Sequence, residues 1–411
     1  VNPWPVVIAD LRALRWVAWM APLLVAIAVA VGIAISAQET ALRRSSAQAA
    51  DDFDLLIGAP GSHTQLMLTT VFLQPEAIPL IDGAILNALA RDERINAAAP
   101  IAFGDSVRGH PVIGTTAAFA GRWGRLAPTE GRLFARDGEA VVGADVALHL
   151  GEAITPSHGV AAGRRNPSGS ESEDEARHRH EGVRYTVVGR LPRLGTPWDN
   201  AILVPIESVW ETHGLGNGHT ADDAALGPPF DAGKVPGVPA IVVKPRAVAD
   251  AYALRSQYRQ GGTVAFFPAE VLVGLYATLG DVRDVLVVAT ALNDVLIFTA
   301  TVMLLLALAG LRRRRYAVLR ALGASRSYIL LAVWLGAALL LAAGCLCGLV
   351  LGGLAAWLLG HVVEQRTGLV LSSGLGLPEV LGVLGLIVAG SLLALLPAIA
   401  SFRTPVDQSL R

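Results

Sequence analysis

The sequence predicts an α-helical membrane protein with four transmembrane helices and one large α+β extracytoplasmic domain inserted between the first and second of them. Three observations predict it. The 411-residue chain is 53% hydrophobic and only 16% charged, whereas soluble domains carry about 25% charged residues. The apolar excess is concentrated in 16–37 and 285–400, leaving 51–276 with the composition of ordinary soluble protein. The short segment 312–326 holds Arg312, Arg313, Arg314, Arg315, Arg320 and Arg326 and no acid, an asymmetry that fixes topology before it implies binding.

Trp16–Ala37 is the first span, with Pro22 near its start. It has the roughly twenty apolar residues that a bilayer core requires. Cleavage after Ala37 is the alternative, but the run exceeds a signal-peptide core and leads directly into a helical polar stretch, 38–50. Val285–Leu311, Ile329–Leu359 and Val380–Ala400 are the second, third and fourth spans. Length and scarcity of charge, rather than periodicity, separate them from buried soluble helices. The arginine-rich loop 312–328 is the most basic short loop, so it faces the cytoplasm. Counting outward, 1–15 and the tail 401–411 are cytoplasmic, whereas 38–284 and the short link 360–379 lie outside. Asn293 and Asp294 fall within the second span; an acid there is either an intramembrane site or a residue near the interface of a helix that begins outside.

Past Asp51 the pattern changes to short strands bounded by glycine and proline: Phe53–Ile57, Ala140–Val142, Tyr185–Val188, Ile202–Pro205 and Ala240–Val243. Helical stretches, Ile78–Ala90, Ile206–Thr212 and Arg246–Gln260, fall between them, which gives an α/β or α+β domain. Segment 163–182 is rich in Gly, Arg, Ser and Glu and has little to bury, so it reads as a mobile insertion. From Pro268 to Leu311 only Gly274 and Gly280 weaken a helical pattern, and one long helix is expected.

The candidate chemistry is sparse. Eight of the nine histidines lie in 38–284. His178 and His180 fall on one side of an extended chain, and two imidazoles beside Glu181 could hold zinc or another metal; solvated loop histidines are the bland reading. Cys345 and Cys347, two apart on a helix, point to different faces and do not bridge. The chain has no G-x-x-x-x-G-K-[ST], no G-x-S-x-G and no H-E-x-x-H. Neither catalysis nor a cofactor is expected in this chain.

The most informative segment is Arg312–Ile329, RRRRYAVLRALGASRSYI. Its apolar Val318, Leu319 and Leu322 lie on one helical face, Gly323 stops that helix, and Ser325 caps the next. The bland reading is topology and contact with anionic lipid; the sharper one is a docking helix for a cytoplasmic partner. Leu319, Arg320, Ala321, Leu322, Gly323 and Ala324 resemble the cytoplasmic loop of the FtsX-like, or MacB-like, permeases of ATP-binding cassette (ABC) transporters. The opening Asp10–Arg15 is similar to that family's amphipathic entry helix. Leu396–Ala400 with Arg403-Thr404-Pro405 is similar to its closing motif, and Asp52–Gly58 to the start of its periplasmic domain. One span, a large outer domain and three further spans complete the resemblance, which runs the length of the chain.

The resemblance implies a bacterial inner-membrane subunit whose large domain is periplasmic. It implies coupling to a separate ABC ATP-binding subunit through Arg315, Val318, Leu319, Arg320, Ala321, Leu322, Gly323, Ala324 and Ser325, with ATP held by that partner. It further implies a second permease subunit, a homodimer, a periplasmic adaptor or substrate-binding protein, and no nucleic acid. The implied function is mechanotransmission: ATP binding in the cytoplasm moves a periplasmic domain to transport or extrude a substrate. The alternatives are a relay that regulates a periplasmic partner such as a cell-wall hydrolase, and a membrane-anchored metal sensor.

Overall fold

The computed structural model of the chain describes residues 2–13, 15–74, 76–158, 182–220, 225–231, 233–278, 280, 288, 291–292, 295, 299, 303, 318–367, 369–371, 374–395 and 399. They divide into a helical unit, Val1–Leu42, Leu279–His361 and Ser372–Arg411, and a sheet unit, Arg43–Thr278 with Val362–Leu371.

The sheet unit is built on strands β1 (Leu55–Gly58), β2 (Ile95–Val107), β3 (His110–Thr115), β4 (Glu130–Gly131), β5 (Glu139–Val142), β6 (Ala153–Ile154), β7 (Ser157–His158), β8 (Tyr185–Arg190), β9 (Ile202–Pro205), β10 (Ala240–Pro245) and β11 (Val264–Phe266). The main order is β11-β1-β10-β2-β3-β9-β5-β8-β4. The β3/β9 and β5/β8 pairs are parallel and the others antiparallel, so the sheet is mixed. Strand β2 joins its two halves. Ile95–Ile101 pairs with β10, and Ala102–Val107 pairs with β3. Register shifts between Phe103 and Asp105, at Gly104. Gly104 has φ +152, and a bulge that needs such a backbone favours a residue without Cβ.

Alternation along the strands supplies two cores. Leu55, Ile57, Ala140, Val142, Ile202, Val204, Ile241 and Val243 face one way. Leu56, Val141, Leu203, Ala240 and Val242 face the other. Both faces are covered, which is why these strands read as unbroken apolar runs. On the first face lie Leu86 and Leu89 of helix Ala84–Ala90, Val209 and Trp210 of Ile206–Thr212, and Leu254 of Val248–Tyr258. On the second lie Ala49 and Ala50, Leu66 and Met67 of His63–Thr70, Leu272 of the helix over 268–278, and Leu369.

Inside the second core a cationic residue is caged by rings. The Arg122 guanidinium carbon lies 4.5 Å from the centroids of both Phe119 and Trp198. Its Nε donates to Asp52 at 2.8 Å, and Arg125 pairs with the same carboxylate. The Arg122 side chain is 2% exposed, and burial pushes its pKa down to about 10. Trp198 Nε1 donates to the Val71 carbonyl at 3.1 Å, so its polar edge is also satisfied.

The helical unit contains the entry helix Trp4–Ala13, the first part of the long helix Arg15–Ala50, most of a second long helix, Arg326–Thr367, and a shorter apolar helix, Leu377–Leu393. Among the described residues, two stretches are long and apolar enough to cross a membrane, Trp19–Ala50 and Arg326–Gln365. Large apolar side chains on these helices stay exposed, among them Trp19, Leu23, Ile27, Leu354, Trp357, Leu358, Leu381 and Leu384. A water-facing surface rarely carries so many.

Close packing of the two long helices comes from glycines spaced by four. A Cβ built on Gly344 would lie 2.8 Å from the Pro22 carbonyl oxygen; on Gly348, 2.8 Å from that of Ala26; on Gly352, 2.8 Å from that of Ala30. Backbone meets backbone there because no side chain intervenes. One interhelical hydrogen bond joins the two long helices and two more tie them to Leu377–Leu393. Gln38 Nε2 donates to the Ala356 carbonyl at 2.6 Å, Ser36 Oγ to Glu379 at 3.0 Å, and Trp334 Nε1 to the Ser391 carbonyl at 2.8 Å.

Some expected elements differ. Helix was expected over Ile78–Ala90, but it begins at Ala84. Ile81 instead exchanges backbone hydrogen bonds with Val238, at 2.9 and 3.1 Å. Pro79 disfavours helical geometry at Ile78, and Asp82 Oδ1 accepts from Ala84 N at 2.9 Å, an Asx turn that starts the helix late. The sheet is mixed where the sequence left α/β and α+β both open. The link expected at 360–379 contributes Val362–Leu371 to the sheet unit. Most of the second span, 285–311, lies outside the described residues, as do Asn293, Asp294, Arg312–Arg315, the tail 401–411 and, apart from Gly182, the 163–182 loop.

Candidate coupling surface

The segment 318–325 is a corner between two helices, and its shape follows from three residue types. A helical turn over 318–321 ends at Gly323, whose φ is +96. Gly323 N donates to Arg320 O and Ala324 N to Leu319 O, both at 3.0 Å. This is the paired arrangement that closes a helix on a left-handed residue, and glycine takes that backbone without a Cβ penalty. Ser325 Oγ then accepts from Tyr328 N at 3.3 Å, capping the helix Arg326–Thr367. Only Ala324 separates stop from start, so the corner has little slack.

This corner displays two apolar side chains. Leu322 is 80% exposed and Val318 is 49% exposed. They stand four residues apart, so they share one helical face. Leu319, Arg320 and Ala324 are half-buried, whereas Ala321 and Ser325 are exposed. The structure therefore divides the apolar set read from sequence: Val318 and Leu322 point outward, and Leu319 is partly covered. Burial of this kind depends on tertiary packing and leaves no mark in a six-residue string. Arg315 lies outside the described residues.

The entry helix joins this side of the helical unit. Tyr328 Oη donates to the Asn2 carbonyl at 3.3 Å, and Asn2 Oδ1 accepts from Trp4 N at 3.1 Å. Val7 and Asp10 are buried, and a Cβ on Gly336 would sit 3.9 Å from a Val7 methyl. Trp4 and Ile8 are exposed. The helix is thus two-sided, with one face on its neighbours and large apolar residues on the other. The sequence places an amphipathic entry helix in 1–15, and the helix described there is Trp4–Ala13; its fixing to Tyr328 was not visible in the sequence.

His178 and His180 lie outside the described residues, and among the described residues no group of three or more His, Cys, Asp or Glu could hold a metal. Two of the described histidines are engaged elsewhere. His110 Nδ1 is 2.7 Å from Asn200 Oδ1, and the buried His219 Nε2 is 3.4 Å from Glu207. Burial pushes the Glu207 carboxyl up, against the opposing hydrogen bonds from Gly227 N and His219.

Residues 288–406 match the family model described as FtsX-like permease C-terminal. The periplasmic region of MacB from Actinobacillus actinomycetemcomitans is similar at 11% identity with a TM-score of 0.31, over 55% of this chain and 95% of that one. The extracellular domain of the noncanonic ABC-type transporter YknZ from Gram-positive bacteria is similar at 11% identity with a TM-score of 0.29, over 52% of this chain and 98% of that one. No curated protein matches the chain in sequence.

Proposed function

We propose, from an FtsX-like permease region at 288–406, that this membrane protein is the permease subunit of an ABC machine of the mechanotransmission type. A separate subunit binds and hydrolyses ATP in the cytoplasm. The corner 318–325 docks on it, and a second copy of the chain completes the membrane part. The sheet unit works in the periplasm of the inner membrane, where its movement transports or extrudes a substrate.

The observation that carries this reading is Leu322, 80% exposed at the tip of a corner closed by Gly323 and capped by Ser325. A free leucine on a stiff projection is a knob for a groove. The described apolar helices support it, since Ser36 bonds Glu379 and Gln38 and Trp334 bond backbone carbonyls of neighbouring helices, where polar groups in a passage would face water. Work done outside the membrane needs no such passage.

The test is a coupled ATPase assay on the complex purified from its own membranes. Leu322→Asp places a charge in the docking groove, where burial without a partner is costly. Leu322 is exposed in the chain alone, so folding of the sheet unit is unchanged. The reading predicts at least a tenfold loss of coupled ATPase activity. An unchanged rate removes the docking role.

A further inference from the structure

The connector that follows the second long helix is built into the sheet unit at one residue triplet. Leu369 and Leu371 are 7% and 8% exposed, and Leu369 belongs to the second core. Between them Val370 is bonded on both sides of its backbone. Its N–H donates to the Gly195 carbonyl at 3.4 Å, and its carbonyl accepts from Ser45 Oγ at 2.7 Å. Gln48 Nε2 donates to the Leu194 carbonyl at 2.7 Å. Arg193 reaches Asp145 at 2.7 Å and Glu364 at 3.5 Å.

The receiving loop is itself held rigidly. Asp199, 1% exposed, accepts from Leu194 N at 2.8 Å and Gly195 N at 2.6 Å. Gly195 has φ +72, a conformation that leaves its carbonyl free for Val370 and suits glycine. Two buried leucines, a doubly bonded backbone and a preformed loop describe a fixed joint. A segment that slides carries few buried apolar contacts and exposed backbone bonds.

We propose that Leu369–Leu371 is a peg that fixes this connector permanently into the sheet unit, with Ser45, Gln48 and Arg193 as positioning residues. The connector and the sheet unit then move as one piece at every stage of the working cycle.

The geometry supplies its own probe. A Cβ on Gly195 would lie 3.6 Å from Val370 Cβ, within the roughly 3.5–4.5 Å of disulfides. With Cys345→Ser and Cys347→Ser, the pair Gly195→Cys and Val370→Cys is oxidised in native membranes. Free thiols are read by the gel shift of a maleimide-polyethylene glycol. The peg predicts near-complete oxidation, equal with and without Mg-ATP, and no loss of coupled ATPase activity once the bridge has formed. A pair whose oxidation changes several-fold with Mg-ATP overturns the proposal, as does a bridge that stops the ATPase.

Amide hydrogen exchange on the unsubstituted chain guards against a variant that fails to fold. Val370 N–H should exchange at least a hundredfold more slowly than an unbonded amide; exchange at the unbonded rate overturns the peg. The ATPase and Mg-ATP arms rest on the function proposed above. The oxidation and exchange arms do not, so an absent ATP-binding partner would strike that reading alone.

Discussion

Gly348→Ala tests the helix seam in its simplest form. The added methyl would lie 2.7 Å from Val29 Cβ and 2.8 Å from the Ala26 carbonyl oxygen. Carbon atoms pack at about 3.5–4.0 Å, and a radial gap of about 0.5–1 Å already forfeits a quarter to a half of each contact. Restoring contact at Gly348 parts the helices by roughly 1 Å, which also loosens the seam at Gly344 and Gly352. Overpacking of this kind costs about 1–3 kcal/mol. Alanine returns about 1 kcal/mol through helix propensity, so the control must carry the same gain. Gly382, with nothing within 4 Å of its Cβ position, supplies that control. Gly348→Ala should be about 2 kcal/mol less stable than Gly382→Ala, or roughly 4–8 °C in the thermal midpoint of the helical unit, followed in the full chain in mild detergent. The triple variant at Gly344, Gly348 and Gly352 should cost less than the three singles summed, because the first methyl has already parted the helices. Equal midpoints for Gly348→Ala and Gly382→Ala would refute the seam.

Three further outcomes follow from the geometry. Arg122→Ala removes the caged cation and half the pairing of Asp52; it should cost about 3 kcal/mol, and Arg122→Met less, because it still fills the ring cage, as read by denaturant titration of tryptophan fluorescence. Glu139 is held down to about 2 from an ordinary 4.5, chiefly by hydrogen bonding to Arg132. A carboxylate depressed in the folded state stabilises above its unfolded pKa and loses that contribution as pH falls toward the folded one. Glu139→Gln should therefore cost about 1 kcal/mol at neutral pH, the exposure of Arg132 limiting it, and the gap to the unsubstituted chain should close between pH 4.5 and about 2. Ser325→Ala loses the cap on Tyr328 N and should cost about 1 kcal/mol in thermal unfolding, with a lowered coupled ATPase rate because the corner gains slack.

The helices and the corner were legible for different reasons. The helix Arg326–Thr367 announces itself by the unbroken apolar run Ile329–Leu359 within it, and Gly323 and Ser325 by residue chemistry that acts locally. Strands β5, β8, β9 and β10 were legible because β-branched residues fill both faces of a covered sheet, and β1 because its apolar run Leu55–Ile57 ends in glycine and proline. Strand β2 was not. Ile95-Asn-Ala-Ala-Ala-Pro carries alanine where strands favour branched residues, and only its place between β10 and β3 makes it extended. The Arg122 cage gave no sign either, because Asp52 and Trp198 converge on Arg122 and its neighbour Phe119 from distant parts of the chain. In the corner at 318–325 the residues were identifiable, but their exposure was not. Val318 and Leu319 are neighbours in a helical turn, and packing alone decides which one faces outward.

The most direct measurement is stoichiometric pull-down of the tagged chain from native membranes in mild detergent, compared with its Leu322→Asp variant. A P-loop ATPase should accompany the first in equal amount and be lost from the second, while the two chains unfold at the same temperature. A chain that brings down no ATPase, or a variant that retains it undiminished, would contradict the central claim that the corner at 318–325 is the coupling surface.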